Sequence, residues 1–226
     1  KRQAVSAKFF HEDVMILFTK YTGSIVIVLV FGFILFFIGT DGFQAYTAEQ
    51  ARTNALIDEQ PVFPMVTLED SKERTYPFSE FQGKYAMLTF IYTACADVCP
   101  ELERNLAEVY DAVPDQYIGE EIMFLSISFD PQRDTPEILA KYQDVFEADG
   151  ETWRMARITD EAELQSLLDE FGVIVIPDAN GHYAHNSAFY LVNPEGVLID
   201  VMDYQKPGEA AEKVINILDE EAGEQL

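Results

Sequence analysis

Residues Tyr85–Pro100 read YAMLTFIYTACADVCP, an apolar run that leads directly into a pair of cysteines. Its first half, Tyr85–Tyr92, is a continuous apolar and β-prone run, which predicts a strand buried on both faces. Its second half holds the only two cysteines of the chain, Cys95 and Cys99, followed by Pro100, where we expect a helix to begin. A buried strand followed by a helix start places both thiols at the carboxyl edge of a sheet, where α/β proteins hold their sites.

Strands and helices alternate through residues 61–218. A short strand at 66–68 and the strand just quoted come first. The elements predicted after them are helix 100–113, strand 121–129, helix 135–146, strand 153–158, helix 160–171, a hairpin of strands 188–192 and 197–202, and helix 208–218. Alternation of this kind predicts a mostly parallel sheet covered on both faces, with the hairpin as an antiparallel edge. The expected fold class is α/β, a thioredoxin-like domain preceded by a single transmembrane helix.

The N-terminal part of the chain contains an uncharged stretch, Tyr21–Thr40. Its length matches the ~20 residues that cross a hydrocarbon core. A cleaved signal peptide is the alternative, but the apolar run exceeds the ~7–15 residues of a signal peptide's apolar region and no small-residue cleavage motif follows it. We therefore expect an uncleaved anchor. The predicted organisation is a short N-terminal segment 1–20, a transmembrane helix 21–40, a linker 41–60, the thioredoxin-like domain 61–218 and an acidic tail 219–226.

Charge is distributed unevenly along the chain. Residues 1–40 carry four basic and two acidic side chains, whereas the whole chain has a formal charge of -25. Basic residues before the apolar stretch predict an N-terminus inside, in the cytoplasm or matrix. The domain then lies in the periplasm, at the outer face of a bacterial plasma membrane, or in the mitochondrial intermembrane space. Its acidity excludes binding to a nucleic-acid backbone. A solvated surface and a basic partner both remain compatible with it.

Two cysteines four residues apart can chelate a soft metal, close into a disulfide, or do both at different times. The unpaired N–H groups at a helix N-terminus stabilise a thiolate, which is both the metal ligand and the nucleophile. Inert buried cysteines or a structural disulfide are the alternatives. A disulfide that closes so short a loop would stabilise the fold little.

Two of the three histidines, His182 and His185, lie in the run NGHYAH just before the strand predicted at 188–192. A loop histidine is by itself more often solvated than a ligand. Together with two thiolates, however, one imidazole completes a donor set that suits copper. The same atoms can bind zinc, for which a closed structural site would need a fourth protein ligand. The third histidine, His11, lies near the membrane border and has no expected role.

Three motifs in order make the chain similar to the Sco/SenC family, membrane-anchored copper chaperones of cytochrome c oxidase assembly. They are FIYT followed by CADVCP at 90–100, SISFDPQRDTP at 126–136, and His185-x-Ser187 followed by YLVNPEG at 190–196. The resemblance implies that Cys95, Cys99 and His185 bind copper as Cu(I), Cu(II) or both, and it selects His185 over His182.

Two further residues stand out beside these motifs. Asp130 resembles a family feature near the metal, where a carboxylate can orient a ligand or assist docking of a partner. A turn or helix cap is the alternative role for it, although Asp134 or Thr135 is the better cap for the helix that follows. Asn186 occupies a position where the family usually has a hydroxyl residue.

The resemblance implies a metallochaperone that delivers copper to the dinuclear copper centre of a respiratory cytochrome c oxidase, or reduces the cysteines of that centre. The implied partners are the copper-bearing oxidase subunit, other copper chaperones or thiol reductases, and a respiratory supercomplex. One alternative is a thiol–disulfide oxidoreductase or peroxidase in which Cys95 attacks and Cys99 resolves. Three residues between the cysteines, rather than the two of thioredoxins, argue against it. A second alternative is an accessory subunit of a respiratory complex.

Overall fold

The computed structural model describes residues 2–40, 42, 43 and 45–224, and the side chains of residues 2–20 and 224 are not described. The last two residues of the predicted acidic tail therefore lie outside the described chain, as does the side chain of His11. The polypeptide forms two compact units, Lys1–Asn54 and Ala55–Leu226.

The first unit is dominated by one long helix, α1 (Arg2–Gly39). Its part Tyr21–Gly39 is long and apolar enough to cross a membrane, and the side chains of that part are exposed. The predicted helix 21–40 is thus extended backwards, almost through the predicted segment 1–20. The hydroxyl of Thr40 donates to the carbonyl of Phe36 at 2.7 Å where α1 ends. A second helix, α2 (Ala48–Glu59), occupies most of the predicted linker.

The second unit is an α/β domain. Its strands are β1 (Thr67–Asp70), β2 (Thr75–Pro77), β3 (Tyr85–Ile91), β4 (Ile122–Ser128), β5 (Trp153–Ile158), β6 (Val175–Pro177), β7 (Tyr183–His185), β8 (Phe189–Val192) and β9 (Leu198–Met202). Its helices are a short 3-10 helix (Phe78–Phe81), α3 (Val98–Ala112), α4 (Pro136–Val145), α5 (Glu161–Glu170) and α6 (Pro207–Glu224). Seven strands form one sheet in the order β2-β1-β5-β4-β3-β8-β9, and β6 pairs with β7 in a separate sheet.

The expectation of a mostly parallel sheet is wrong. In the described part of the larger sheet only β3–β4 and β4–β5 are parallel, and the other four pairings are antiparallel. A parallel pair needs a crossover connection, which α3 supplies between β3 and β4 and α4 between β4 and β5. After α5 the chain forms the β6–β7 hairpin instead and returns as β8, antiparallel to β3. Strands β2, β6 and β7 were not predicted, because three residues each carry no readable period.

The two strands at the centre of the sheet behave as their sequences predict. Every residue of β3 and of β4 is buried. Farther along, the Asp160 carboxylate caps α5, accepting from the N–H groups of Ala162 at 2.9 Å and Glu163 at 3.0 Å. Aspartate is among the residues that most often cap a helix in this way. Gly172 follows it with a φ of +59°, as expected of a glycine that closes a helix.

A carboxyl group lies inside this apolar core. Glu103 on α3 has no exposed surface, and the hydroxyls of Thr89 and Ser126 donate to its oxygens at 2.7 and 2.6 Å. The indole N–H of Trp153 donates in turn to the Ser126 hydroxyl at 3.1 Å. Burial raises the pKa of Glu103 to about 7, although the hydrogen bonds from the two hydroxyls lower it. The native protein therefore keeps a proton on Glu103 that the unfolded chain releases at lower pH.

We predict that Glu103 makes the domain lose stability as pH rises from about 5 to about 7, by up to ~1.4 kcal/mol per pH unit, because only the native state holds that proton there. Above about pH 7 the loss levels off. In Glu103→Gln the side chain cannot ionise, so this slope disappears. Urea unfolding of the full chain in mild detergent, followed by Trp153 fluorescence across this range, measures the slope.

Glu101→Gln is the matched control, because Glu101 lies on the same helix and is exposed. It should retain the slope of the unaltered protein. Equal slopes in Glu103→Gln and the unaltered protein would show that Glu103 is already ionised in the native state.

Candidate metal centre

The turn between β3 and α3 positions both cysteines. Helix α3 begins at Val98, two residues earlier than predicted, so that Pro100 lies in its first turn. Cys99 is the second residue of the helix, whereas Cys95 lies in the turn before it. Asp97 stands at the N-cap but makes no side-chain cap; instead the Cys95 sulfur accepts from the Cys99 N–H at 3.3 Å. The sulfur of Cys95 thereby replaces a capping oxygen at the helix start.

A buried carboxylate fixes the beginning of this turn. Asp134 accepts from the backbone N–H of Thr93 at 3.0 Å, from its hydroxyl at 2.5 Å, and from the Ser128 hydroxyl at 2.5 Å. Of the two cap candidates for α4, Asp134 and Thr135, the structure places Thr135 at the N-cap. Thr135 makes no side-chain hydrogen bond there, and Asp134 faces the cysteine turn. Asp134 thus joins the segments that follow β3 and end β4.

His185 comes from the β6–β7 hairpin, where it pairs with Val175. Its Nδ1 lies 3.0 Å from the carbonyl of Asn186 and 3.2 Å from the hydroxyl of Ser187. A carbonyl only accepts hydrogen bonds, so the proton is assigned to Nδ1 and the lone pair to Nε2. Nε2 lies 3.4 Å from the Cys99 sulfur. The ring nitrogen that is free to bind a metal therefore faces a thiol.

The sulfurs of Cys95 and Cys99 and a ring nitrogen of His185 lie within 4.8 Å of one another, and the described residues contain no second such group of metal-binding side chains. A metal bound to sulfur at about 2.3 Å and to nitrogen at about 2.0 Å holds those two atoms about 3.5–3.8 Å apart. This separation is close to the 3.4 Å between the Cys99 sulfur and Nε2 of His185. The group can hold one soft cation. Neither His182, which is exposed, nor Asp130 belongs to it.

The three side chains differ in protonation. Burial opposes ionisation of Cys95, but the N–H groups of Cys99 and Asp97 outweigh it and lower the pKa of this thiol. Burial raises the pKa of Cys99 far above its usual range. Burial also lowers the pKa of His185, which keeps the imidazole neutral near pH 7. The metal-free site is thus asymmetric, with one thiolate-prone sulfur and one thiol that donates to His185.

Aromatic rings that the sequence did not single out surround the histidine. The ring centroid of Phe129 lies 5.0 Å from that of His185, and the Tyr92 centroid lies 6.1 Å from it. Tyr183 packs edge-on against both Tyr92 and Phe129. The detectable signal was an aromatic residue directly after β3 and another directly after β4. These rings make the site apolar on the side of His185.

Asn186 closes the base of the hairpin. Its side-chain oxygen accepts from the N–H of Ile174 at 2.7 Å, and its amide nitrogen donates to the carbonyl of Gly172 at 3.2 Å. Its own carbonyl accepts from His185. From the sequence this residue was recognised only as a departure from the family pattern; the fold uses it to orient the histidine ring.

Comparison with known proteins gives several relatives that are named as Sco proteins. The human mitochondrial protein named SCO1 homolog is 28% identical over 142 residues, which cover 60% of this chain and 46% of the human protein. The copper-bound structure of Bradyrhizobium japonicum ScoI superposes with a TM-score of 0.56 at 25% identity, covering 67% of this chain and 96% of that one.

A third similar protein is BsSco, whose structure identified a disulfide switch and which is described as a member of the Sco family of cytochrome c oxidase assembly proteins. It superposes with a TM-score of 0.58 at 20% identity, covers 69% of this chain and 92% of its own, and so supports the fold alone. The SCO1/SenC family model matches residues 55–219, nearly the whole second unit. The resemblance carried by the three motifs is confirmed, and the chain belongs to the SCO1/SenC family.

Proposed function

We propose that this chain binds one copper ion through Cys95, Cys99 and His185 and delivers it to the dinuclear copper centre of a cytochrome c oxidase. The observation that carries the proposal is the meeting of two thiols and a neutral imidazole within 4.8 Å. One relative supports it, because the structure of Bradyrhizobium japonicum ScoI has copper bound.

The donor set favours copper over zinc. Thiolate and imidazole ligands suit Cu(I), whereas a closed structural zinc site takes four protein ligands. The described residues offer three. An incomplete site also suits a carrier, because a receiving protein can supply the next ligand while the first ligands are still bound.

The asymmetry of the thiols suggests an order of binding. Cys95 is partly exposed and its thiolate is favoured, so copper meets this sulfur first. Cys99 is buried and protonated, so it binds only after losing its proton as copper arrives. The two cysteines must be reduced for this to happen.

The same thiols support a second role, reduction of the cysteines of the receiving centre. The specific observation in its favour is the lowered pKa of Cys95, which makes it the attacking sulfur. Cys95 would form a mixed disulfide with the partner, and Cys99 would then displace the partner. One disulfide forms here between Cys95 and Cys99, and one disulfide of the partner becomes two thiols.

We infer further that Tyr21–Gly39 anchors the protein in a membrane, with the domain in the periplasm or the mitochondrial intermembrane space. The apolar helix and the mitochondrial relative support this placement. An anchor restricts the carrier to the membrane that holds the oxidase. The copper-bearing oxidase subunit, other copper chaperones, thiol reductases and a respiratory supercomplex are the partners consistent with it.

We predict that the full chain, reduced and reconstituted without oxygen in detergent, binds one Cu(I) per molecule. Cys95→Ala and Cys99→Ala each remove a ligand and should weaken binding by more than the ~10–100-fold typical of losing an outer partner of a ligand. His185→Ala should weaken it as well. Competition with a chromophoric Cu(I) chelator measures these affinities.

His182→Ala is the matched control, since His182 is an exposed histidine three residues from His185. It should bind copper as the unaltered chain does. A copper stoichiometry and affinity unchanged in both Cys95→Ala and Cys99→Ala would contradict the proposed site.

We also predict that iodoacetamide modifies Cys95 faster than Cys99 in the reduced, metal-free protein, because Cys95 is more exposed and more readily ionised. Quenched labelling followed by peptide mass spectrometry gives both rates. Cys99→Ser isolates the reaction of Cys95, and Cys95→Ser isolates that of Cys99. Faster labelling of Cys99 would reverse the proposed order of binding.

A further inference from the structure

The three candidate ligands belong to two different parts of the domain. Cys95 and Cys99 are fixed to the large sheet through β3 and α3, whereas His185 belongs to the separate β6–β7 sheet. The described strands of the large sheet do not pair with that hairpin. Its contribution to the site therefore depends on contacts other than strand pairing.

One side chain connects the hairpin to the large sheet through three contacts, two within the hairpin and one with the residue that follows β3. Arg133 follows β4, and its Nη1 donates to the carbonyl of Gly181 in the hairpin turn at 2.7 Å. Its guanidinium lies 5.3 Å from the ring centroid of Tyr183 in β7 and 5.9 Å from that of Tyr92 after β3. The backbone N–H of Tyr183 also faces the Tyr92 hydroxyl, at 3.4 Å.

An ion pair fixes the guanidinium of Arg133 in turn. Its Nε donates to the carboxylate of Asp130, which is 5% exposed at the end of β4. The backbone N–H of Asp130 donates to the Ser128 hydroxyl at 3.0 Å, and that hydroxyl donates to Asp134. Asp130 is thereby tied to the same network that fixes the cysteine turn.

We propose that Arg133 is a positioning residue for His185: paired with Asp130, it fastens the β6–β7 hairpin so that the ring nitrogen stays within reach of Cys99. This rests on the proposed function in taking His185 as a copper ligand. In this proposal the role of Asp130 is to orient Arg133.

The shape of the guanidinium matters here more than its charge. An ion pair in which Arg133 is 42% exposed contributes little by attraction alone. A planar guanidinium, however, donates in two directions while stacking on aromatic rings, which an ammonium group does not reproduce. Lysine at this position keeps the charge but lacks the forked set of N–H donors. Arg133→Lys should therefore retain only part of the Cu(I) affinity that is lost in Arg133→Gln.

The test uses the full chain in detergent and compares Arg133→Gln, Arg133→Lys and Asp130→Asn. Arg154→Gln is the matched control, because Arg154 also joins an ion pair, with Glu80, and stacks on rings, those of Tyr76 and Phe81. The first readout needs no metal. Amide hydrogen exchange over residues 178–185 should accelerate in Arg133→Gln and stay unchanged in Arg154→Gln.

The second readout is Cu(I) affinity by chelator competition, measured with and without His185→Ala. Arg133→Gln should weaken binding by about 10-fold, as loss of a partner that orients a ligand does. Asp130→Asn should act in the same direction. In the His185→Ala background Arg133→Gln should have no further effect, because the residue that it positions is gone.

If Arg133→Gln weakened Cu(I) binding equally with and without His185→Ala, Arg133 would be acting on the whole fold. That result would overturn the proposal. Unchanged exchange and affinity in Arg133→Gln would overturn it too, and would leave copper binding by the unaltered chain intact. Failure of the unaltered chain to bind copper would instead remove the proposed function. Equal Cu(I) affinity of His185→Ala and the unaltered chain would show that His185 is not a ligand, and would therefore also overturn the positioning role of Arg133.

Discussion

The first turn of α3 is the constraint on which the site depends. Backbone N–H groups there have no carbonyl partner within the helix, and the Cys95 sulfur accepts one of them, from Cys99, at 3.3 Å. This contact brings the two sulfurs together and favours the thiolate of Cys95 before any metal is present. Strand β3 sets where the turn begins, and the buried carboxylate of Asp134 holds its first residue, Thr93.

Metal binding and thiol chemistry draw on the same asymmetry. In the proposed function, the partly exposed, thiolate-prone sulfur of Cys95 is both the first ligand that copper meets and the sulfur that attacks a disulfide. The buried thiol of Cys99, next to a neutral imidazole, would be both the second ligand and the resolving sulfur. The two proposed roles therefore compete for one pair of side chains, and both require Cys95 and Cys99 to be reduced at the start.

Much of this arrangement could be predicted from the sequence, because its signals are local. The apolar run of β3 and the cysteine spacing each need only a few neighbouring residues. The hairpin of β6 and β7 could not be predicted, since three-residue strands carry no period, and without it the sheet was expected to be mostly parallel. Glu103 and Asp134 were missed or misassigned for another reason: their partners, Thr89, Ser126 and Thr93, lie far away in the chain. His185 was selected over His182 through family resemblance, and its contacts with Cys99, Tyr92 and Phe129 are long-range as well.

X-ray absorption at the copper edge of the Cu(I)-loaded full chain counts the atoms bound to the metal and so tests the proposed ligand set. We expect two sulfur scatterers and one nitrogen scatterer of imidazole type, with the nitrogen lost in His185→Ala and retained in His182→Ala. A copper ion bound by sulfur alone in the unaltered chain, or one surrounded by nitrogen and oxygen without two sulfurs, would contradict it.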